Sequence, residues 1–290
     1  IRDSLPTESG RKHGMNMWLA LDIEQKRTRA SGGMHAHSAR ESELEALQEA
    51  HRAYLRFEAD SNELAIDLYN KVTATHSIDV RARAYAGQGC AHAQRSRLFG
   101  EPVQRCRAQA LSMAKAALLA DPKLPEAHLA MALALGMVDE AAALEEACTE
   151  LKTAVHQSPE AAWCWAEMAA LHERLGDIDN AKAAVQRALE LDPDWLFALQ
   201  TAASLALRRG EVARGLELLS RAAANTPTHA NLLINQALVL KSKGEKRQAQ
   251  AVKAEALALA TRETHRNYLI QLWEAGSFPA RLRGTGQADP

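Results

Sequence analysis

The sequence predicts an all-α fold, an α-solenoid of stacked helix hairpins, and three observations predict it. Hydrophobic residues make up 47% of the 290 residues but aromatic ones only 4%. The apolar content is mostly Ala and Leu, which suits close helix packing and suits strands poorly. Pro159, Pro193 and Pro227 stand 34 residues apart, and Gly176, Gly210 and Gly244 keep the same step. Small residues recur in register with them, at Ala181, Gly215 and Ala249 and at Ala154, Ala188, Ala222 and Ala256. A period carried by several columns marks a repeat architecture, in which each unit buries its apolar face only against its neighbours.

One unit, Ala162–Trp195, shows the physics of all of them. Trp165, Met168, Ala169 and His172 fall on one face of a first helix. Leu175, Gly176 and Asp177 stop it, since Gly is free to take positive φ. Ala181, Val185 and Ala188 form the inward stripe of a second helix, which Asp192 and Pro193 end. The small residues Ala169 and Ala181 let the two helices approach closely.

These residues resemble the tetratricopeptide repeat family. Trp165, Met168 with Ala169, His172, Gly176, Ala181, Val185, Ala188 and Pro193 occupy the places of its motif in order. Leu196–His229 and Ala230–Glu263 follow, the last with Thr261 where Pro is expected. Pro125–Ala161 carries three surplus residues near 136–143, and Ala82–Leu124 carries Tyr85, Gly89, His92, Ala110, Ala114, Ala117 and Pro122 with a surplus loop around Leu98, Phe99, Gly100 and Pro102. Leu44–Asp79 reads as one more helix pair, with Ala65, Tyr69 and Val72 on its second helix. The resemblance spans roughly residues 44–263 and implies about six helix pairs wound as a right-handed superhelix.

Both ends look different. Thr264–Ala275 places Tyr268, Leu269, Leu272 and Trp273 on one side and reads as a helix capping the stack. The organisation expected is a disordered or linker leader over 1–40 with a short helix at Met15–Arg27, a repeat domain over 41–276 and a flexible tail over 277–290. The early units also resemble the tetratricopeptide modules of bacterial transcription regulators and adenylate-cyclase-like proteins. An Ile at position 1 and an unstructured leader fit a regulatory module whose output domain precedes this sequence.

Composition narrows the function. Thirty-five Lys and Arg against thirty-six Asp and Glu leave a formal net charge of −1, so no global field favours nucleic acid. The longest apolar runs, such as Leu129–Leu135, fall far short of the roughly 18 residues that span a bilayer. Cys90, Cys106, Cys148 and Cys164 have no CxxC pairing, which fits a reducing cytoplasm, and Cys148 and Cys164 read as small buried hydrophobes. No GxGxxG, GxxxxGK[ST], HExxH or GxSxG is present, so no enzyme is expected, and no cofactor. His35 and His37 are two imidazoles without further ligands, so no metal site is expected. His92 and His172 fill the mid-helix aromatic place and read as packed core histidines. Glu145, Glu146 and Glu150 read as a solvated helix face.

What remains is a surface. The resemblance implies a concave groove lined by the first helix of each unit, and it carries over to Trp163, Ala166, Ala170, Glu173 and Arg174, then Phe197, Gln200, Ser204, Leu207 and Arg208, then Asn231, Ile234, Leu238, Lys241 and Ser242. One edge of that wall is aromatic or polar (Trp163, Phe197, Asn231) and the other basic (Arg174, Arg208, Lys241), with Gln200 a further contact residue. Asn235 matches an inner-wall Asn of other members, while Glu167 and Thr201 at the same place do not, and Ala166 and Ala170 stand where a carboxylate clamp needs Lys and Asn. The expected function is a non-catalytic protein-interaction scaffold, binding an extended protein or peptide segment with apolar and acidic residues. Self-association through the end units or the loop around Gly100 is a further expectation.

Overall fold

The computed structural model describes residues 34–276, with side chains from Arg40 onward. Among the described residues there are thirteen helices and no strand. Six antiparallel pairs run α1 (Met34–Tyr54) with α2 (Ala59–Val72), α3 (Ile78–Phe99) with α4 (Val103–Ala120), α5 (Pro125–Leu135) with α6 (Ala141–Gln157), α7 (Ala162–Leu175) with α8 (Ile178–Leu191), α9 (Leu196–Arg208) with α10 (Val212–Asn225), and α11 (Ala230–Ser242) with α12 (Lys246–Leu259). The thirteenth helix, α13 (Glu263–Ala275), packs on α11 and α12. The leader helix expected at 15–27 and the tail at 277–290 lie outside the described residues. The leader as drawn to residue 40 overlaps α1, which starts at Met34.

The repeat columns do what their chemistry requires. Gly176, Gly210 and Gly244 sit at φ +78°, +77° and +87°, each reversing the chain between the helices of a pair. Ala154, Ala169, Ala181, Ala188, Ala222, Ala249 and Ala256 are all buried at helix crossings. Gly87 marks the closest approach: a Cβ there would run into the ring of Tyr69, whose hydroxyl lies 2.7 Å from His51 Nδ1.

One expectation about the irregular segments is corrected. The surplus near 98–102 is not a loop. Leu98 and Phe99 are buried on the last turn of α3, and only 100–102 link it to α4. The extra length lies in the helices, 22 residues in α3 and 18 in α4 against 14 in α7 and α8. The surplus near 136–143 is an extended turn, and Arg174 from the next pair holds it. Its guanidinium donates to the carbonyls of Gly136 (2.5 Å) and Val138 (2.9 Å) and to Asp139 Oδ1 (2.5 Å).

The solenoid closes on itself. The α1–α2 turn meets the C-terminal units: Thr228 Oγ1 donates to the carbonyl of Arg56 at 2.8 Å, and Thr261 and Arg262 bond to Asp60 at 3.0 and 2.6 Å, with Glu63 also on Arg262. Further along, α13 docks on the end of α3. Tyr268 Oη donates to the carbonyl of Arg97 at 3.0 Å, and Phe99 and His265 pack edge to face at 5.2 Å. Phe57, Ala59, Leu98 and Phe99 share one core cluster with residues of α9, α10 and α11. The capping helix therefore covers the last pair and also joins it to the second.

Candidate functional site

The inner helices face one another, and this determines what the predicted wall can do. In α7, α9 and α11 most residues are buried around the whole helix. A helix at the rim of an open groove keeps one wet face; these three do not.

At the centre lies Phe57, from the turn between α1 and α2. It is the one non-glycine residue among those described with positive φ, at +56°. A bulky side chain in that region carries strain that surrounding contacts must hold. Phe57 stacks on His229 at 5.2 Å and meets Phe197 edge to face at 5.8 Å. Arg97 closes the cluster from the other side, its guanidinium 4.7 Å from the centre of the Phe197 ring. The same guanidinium donates to both carboxylate oxygens of Glu167 at 2.9 Å. His229 is fully enclosed, and burial, reinforced by the charge of Arg97, drives its pKa down to about 3. It is a neutral ring at physiological pH.

The predicted wall residues divide by this closure. Trp163, Asn231 and Asn235 are buried, at 6%, 7% and 1% exposure, so none presents an open anchor. Phe197 and Gln200 are half-buried. The basic edge is engaged within the chain. Arg174 staples the 136–139 turn. Arg208 pairs at 3.0 Å with Glu173, a buried carboxylate that also accepts from Ser204. Lys241 lies 4.5 Å over the Trp273 ring, with Lys253 5.0 Å from the same ring. Arg208 and Lys241 remain solvent-exposed, and Arg174 is half-buried.

Sequence reasoning missed Phe57, Arg97, Glu167 as a partner, and His229. A faint signal existed for His229, which stands 34 residues after Trp195 in the column preceding each first helix. Phe57 falls between two helices and belongs to no column, so the period is silent about it.

The other chemistry is quiet. Cys90, Cys106, Cys148 and Cys164 are all buried free thiols, and burial pushes each pKa up. Among the described residues no three His, Cys, Asp or Glu side chains are grouped to hold a metal, and no helix is long and apolar enough to cross a membrane. The side chains of His35 and His37 fall outside the described ones.

The fold and wall thus define a class, an α-solenoid of helix-hairpin repeats. The tetratricopeptide repeat family model matches residues 162–205, within the all-α repeat solenoid that the thirteen described helices build. Its fold is similar to that of a thermophilic TPR protein from Thermus thermophilus, at 18% identity and a TM-score of 0.53 over 68% of this chain and 98% of that one. Other similar structures are pilF of Pseudomonas aeruginosa (18% identity, TM-score 0.47, 71% and 96% covered) and MamA (18%, 0.41, 58% and 93%). None of the curated proteins matches the sequence.

Proposed function

We propose that the chain is a non-catalytic protein-interaction scaffold whose inner wall takes an extended segment with an aromatic residue followed by acidic ones. The observation that carries this reading is how the chain fills its own wall. Phe57 occupies the space between Phe197 and His229, while Asp60 and Glu63, on the same segment, engage Arg262. A partner with that pattern competes for the same groups, and a segment already tethered beside the site has a high effective concentration.

Phe197 and Gln200 then contact the partner, Arg208 and Lys241 supply exposed positive charge, and Trp163, Asn231 and Asn235 join once the α1–α2 turn lifts. Arg174 serves the fold more than the partner. Binding weakens with rising salt, because exposed charge pairs are screened.

The test is fluorescence anisotropy of a synthetic peptide of residues 55–63 on the full chain. The Phe57→Ala chain should bind it, the parent about tenfold or more weakly because its own segment competes, and a peptide with Ala for Phe should bind neither. Equal binding to parent and Phe57→Ala, or no binding to either, contradicts the reading.

A further inference from the structure

A separate cleft opens between α2, α3 and α4, with a volume of about 500 Å³, within the range of small-molecule sites. We propose that it binds a small molecule bearing an oxyanion, a carboxylate or a phosphate ester. The inner wall plays no part in it.

Its lining is polar where the fold does not ask for polarity. Gln88, His92 and Arg95 of α3 face Asn70 of α2 and Gln109 and Ser112 of α4. By place in the repeat, Gln88 and His92 correspond to Ala202 and Ala206 in α9. The cleft between α8 and α9 is floored there by Ala202 and Leu205 beside Val185 and Leu189. An apolar floor therefore serves the architecture equally well.

The polar groups are held in place yet incompletely satisfied. Gln88 Nε2 donates to Asn70 Oδ1 at 2.5 Å. His92 is 7% exposed, lines the cleft, and its Nδ1 has no hydrogen-bond partner; Gln109 Oε1 is likewise buried and unpartnered. Each such atom costs free energy on folding unless something fills the site.

Charge selects the ligand. Residues 80–120 carry seven Lys and Arg but one acidic residue, Glu101. Arg97 turns to the inner wall, and Arg95 pairs with Glu101 at 3.3 Å. Arg105 is exposed on the same face of α4 as Gln109 and Ser112, at i, i+4 and i+7. No carboxylate lines the cleft. Burial and the charges of Arg95 and Arg105 keep His92 neutral, with a pKa of about 4. A neutral imidazole still offers one N–H donor. Three carboxamides, a hydroxyl, an imidazole and the Arg95 guanidinium line the cleft, and Arg105 stands one turn away on the same helix face, together the donor set of an oxyanion site.

The experiment follows the imidazole ¹⁵N and ¹H signals of His92 in the full chain, assigned with His92→Gln. Inorganic phosphate and succinate are titrated separately at constant ionic strength. Saturable movement of the His92 signal with either probe is expected, with His128 unmoved. Phosphate alone would identify a phosphate ester, and succinate alone a carboxylate. Arg105→Gln, at an exposed position, should keep the parent melting temperature and weaken binding about tenfold. Absence of movement with both probes, or an unchanged affinity in Arg105→Gln, overturns the proposal.

Discussion

The hydroxyl of Tyr268 donates to the main-chain carbonyl of Arg97 at 3.0 Å, joining residues 171 positions apart. The Arg97 side chain meanwhile reaches inward to Glu167 and Phe197, so one residue ties the second helix pair both to the capping helix and to the inner wall.

The closing contacts differ in strength. Arg262 with Asp60 and Glu63 is largely exposed, and Arg262→Ala should cost no more than about 1 kcal/mol in urea unfolding. Phe57→Ala removes a buried ring and should cost about 3 kcal/mol, less whatever strain its positive φ releases. A larger loss for Arg262→Ala than for Phe57→Ala would reverse this ranking.

Arg174 holds the three-residue insertion. Arg174→Ala leaves the carbonyls of Gly136 and Val138 short of a donor and should cost about 1.5–3 kcal/mol. Arg174→Lys should rescue little, since an ammonium cannot fork across two carbonyls and Asp139 together. Chemical denaturation of both variants checks it; full rescue by Lys would show that charge alone matters.

Gly87→Ala should destabilise by about 1–3 kcal/mol despite Ala's better helix propensity, because the new methyl meets the buried ring of Tyr69. Gly87→Ala with Tyr69→Leu should show a favourable coupling energy in a double-mutant cycle. Strict additivity would place the strain elsewhere.

Acid should loosen the closure. In the folded chain burial holds His229 at about 3 and His265 at about 4, against 6.5 in an unfolded chain. These depressed values mean that the unfolded state binds more protons. Their contribution is complete above about pH 6.5 and is lost as pH falls towards 4, by roughly 1.4 kcal/mol per pH unit for each histidine. Both rings sit on closing contacts, with Phe57 and with Phe99. Stability measured from pH 7 to 4.5 should fall less steeply in His229→Gln, by up to one proton. An unchanged slope would remove His229 from the account.

The local half of this structure was legible, and the non-local half was not. Gly176, Gly210 and Gly244 must reverse the chain, and Ala181 and Ala188 must admit a neighbouring helix; such constraints act between adjacent units and repeat with them. The partnership of Phe57 with His229 spans the stack and recurs nowhere, so no column records it. For the same reason the enclosure of Trp163, Asn231 and Asn235 was not legible. Leu98 and Phe99 misled differently, since surplus length reads equally well as a loop or as an added helical turn.

The central claim is that the inner wall is covered by the chain's own α1–α2 turn in a closed solenoid. Double electron–electron resonance between spin labels at Leu64→Cys and Thr264→Cys tests it most directly. Both positions are exposed, and the four native thiols are buried and resist labelling. The account predicts one narrow short-distance population for the parent and a longer, broader one when Phe57→Ala and Arg262→Glu are combined. A long distance in the parent would mean an open solenoid and a bare wall, contradicting the account.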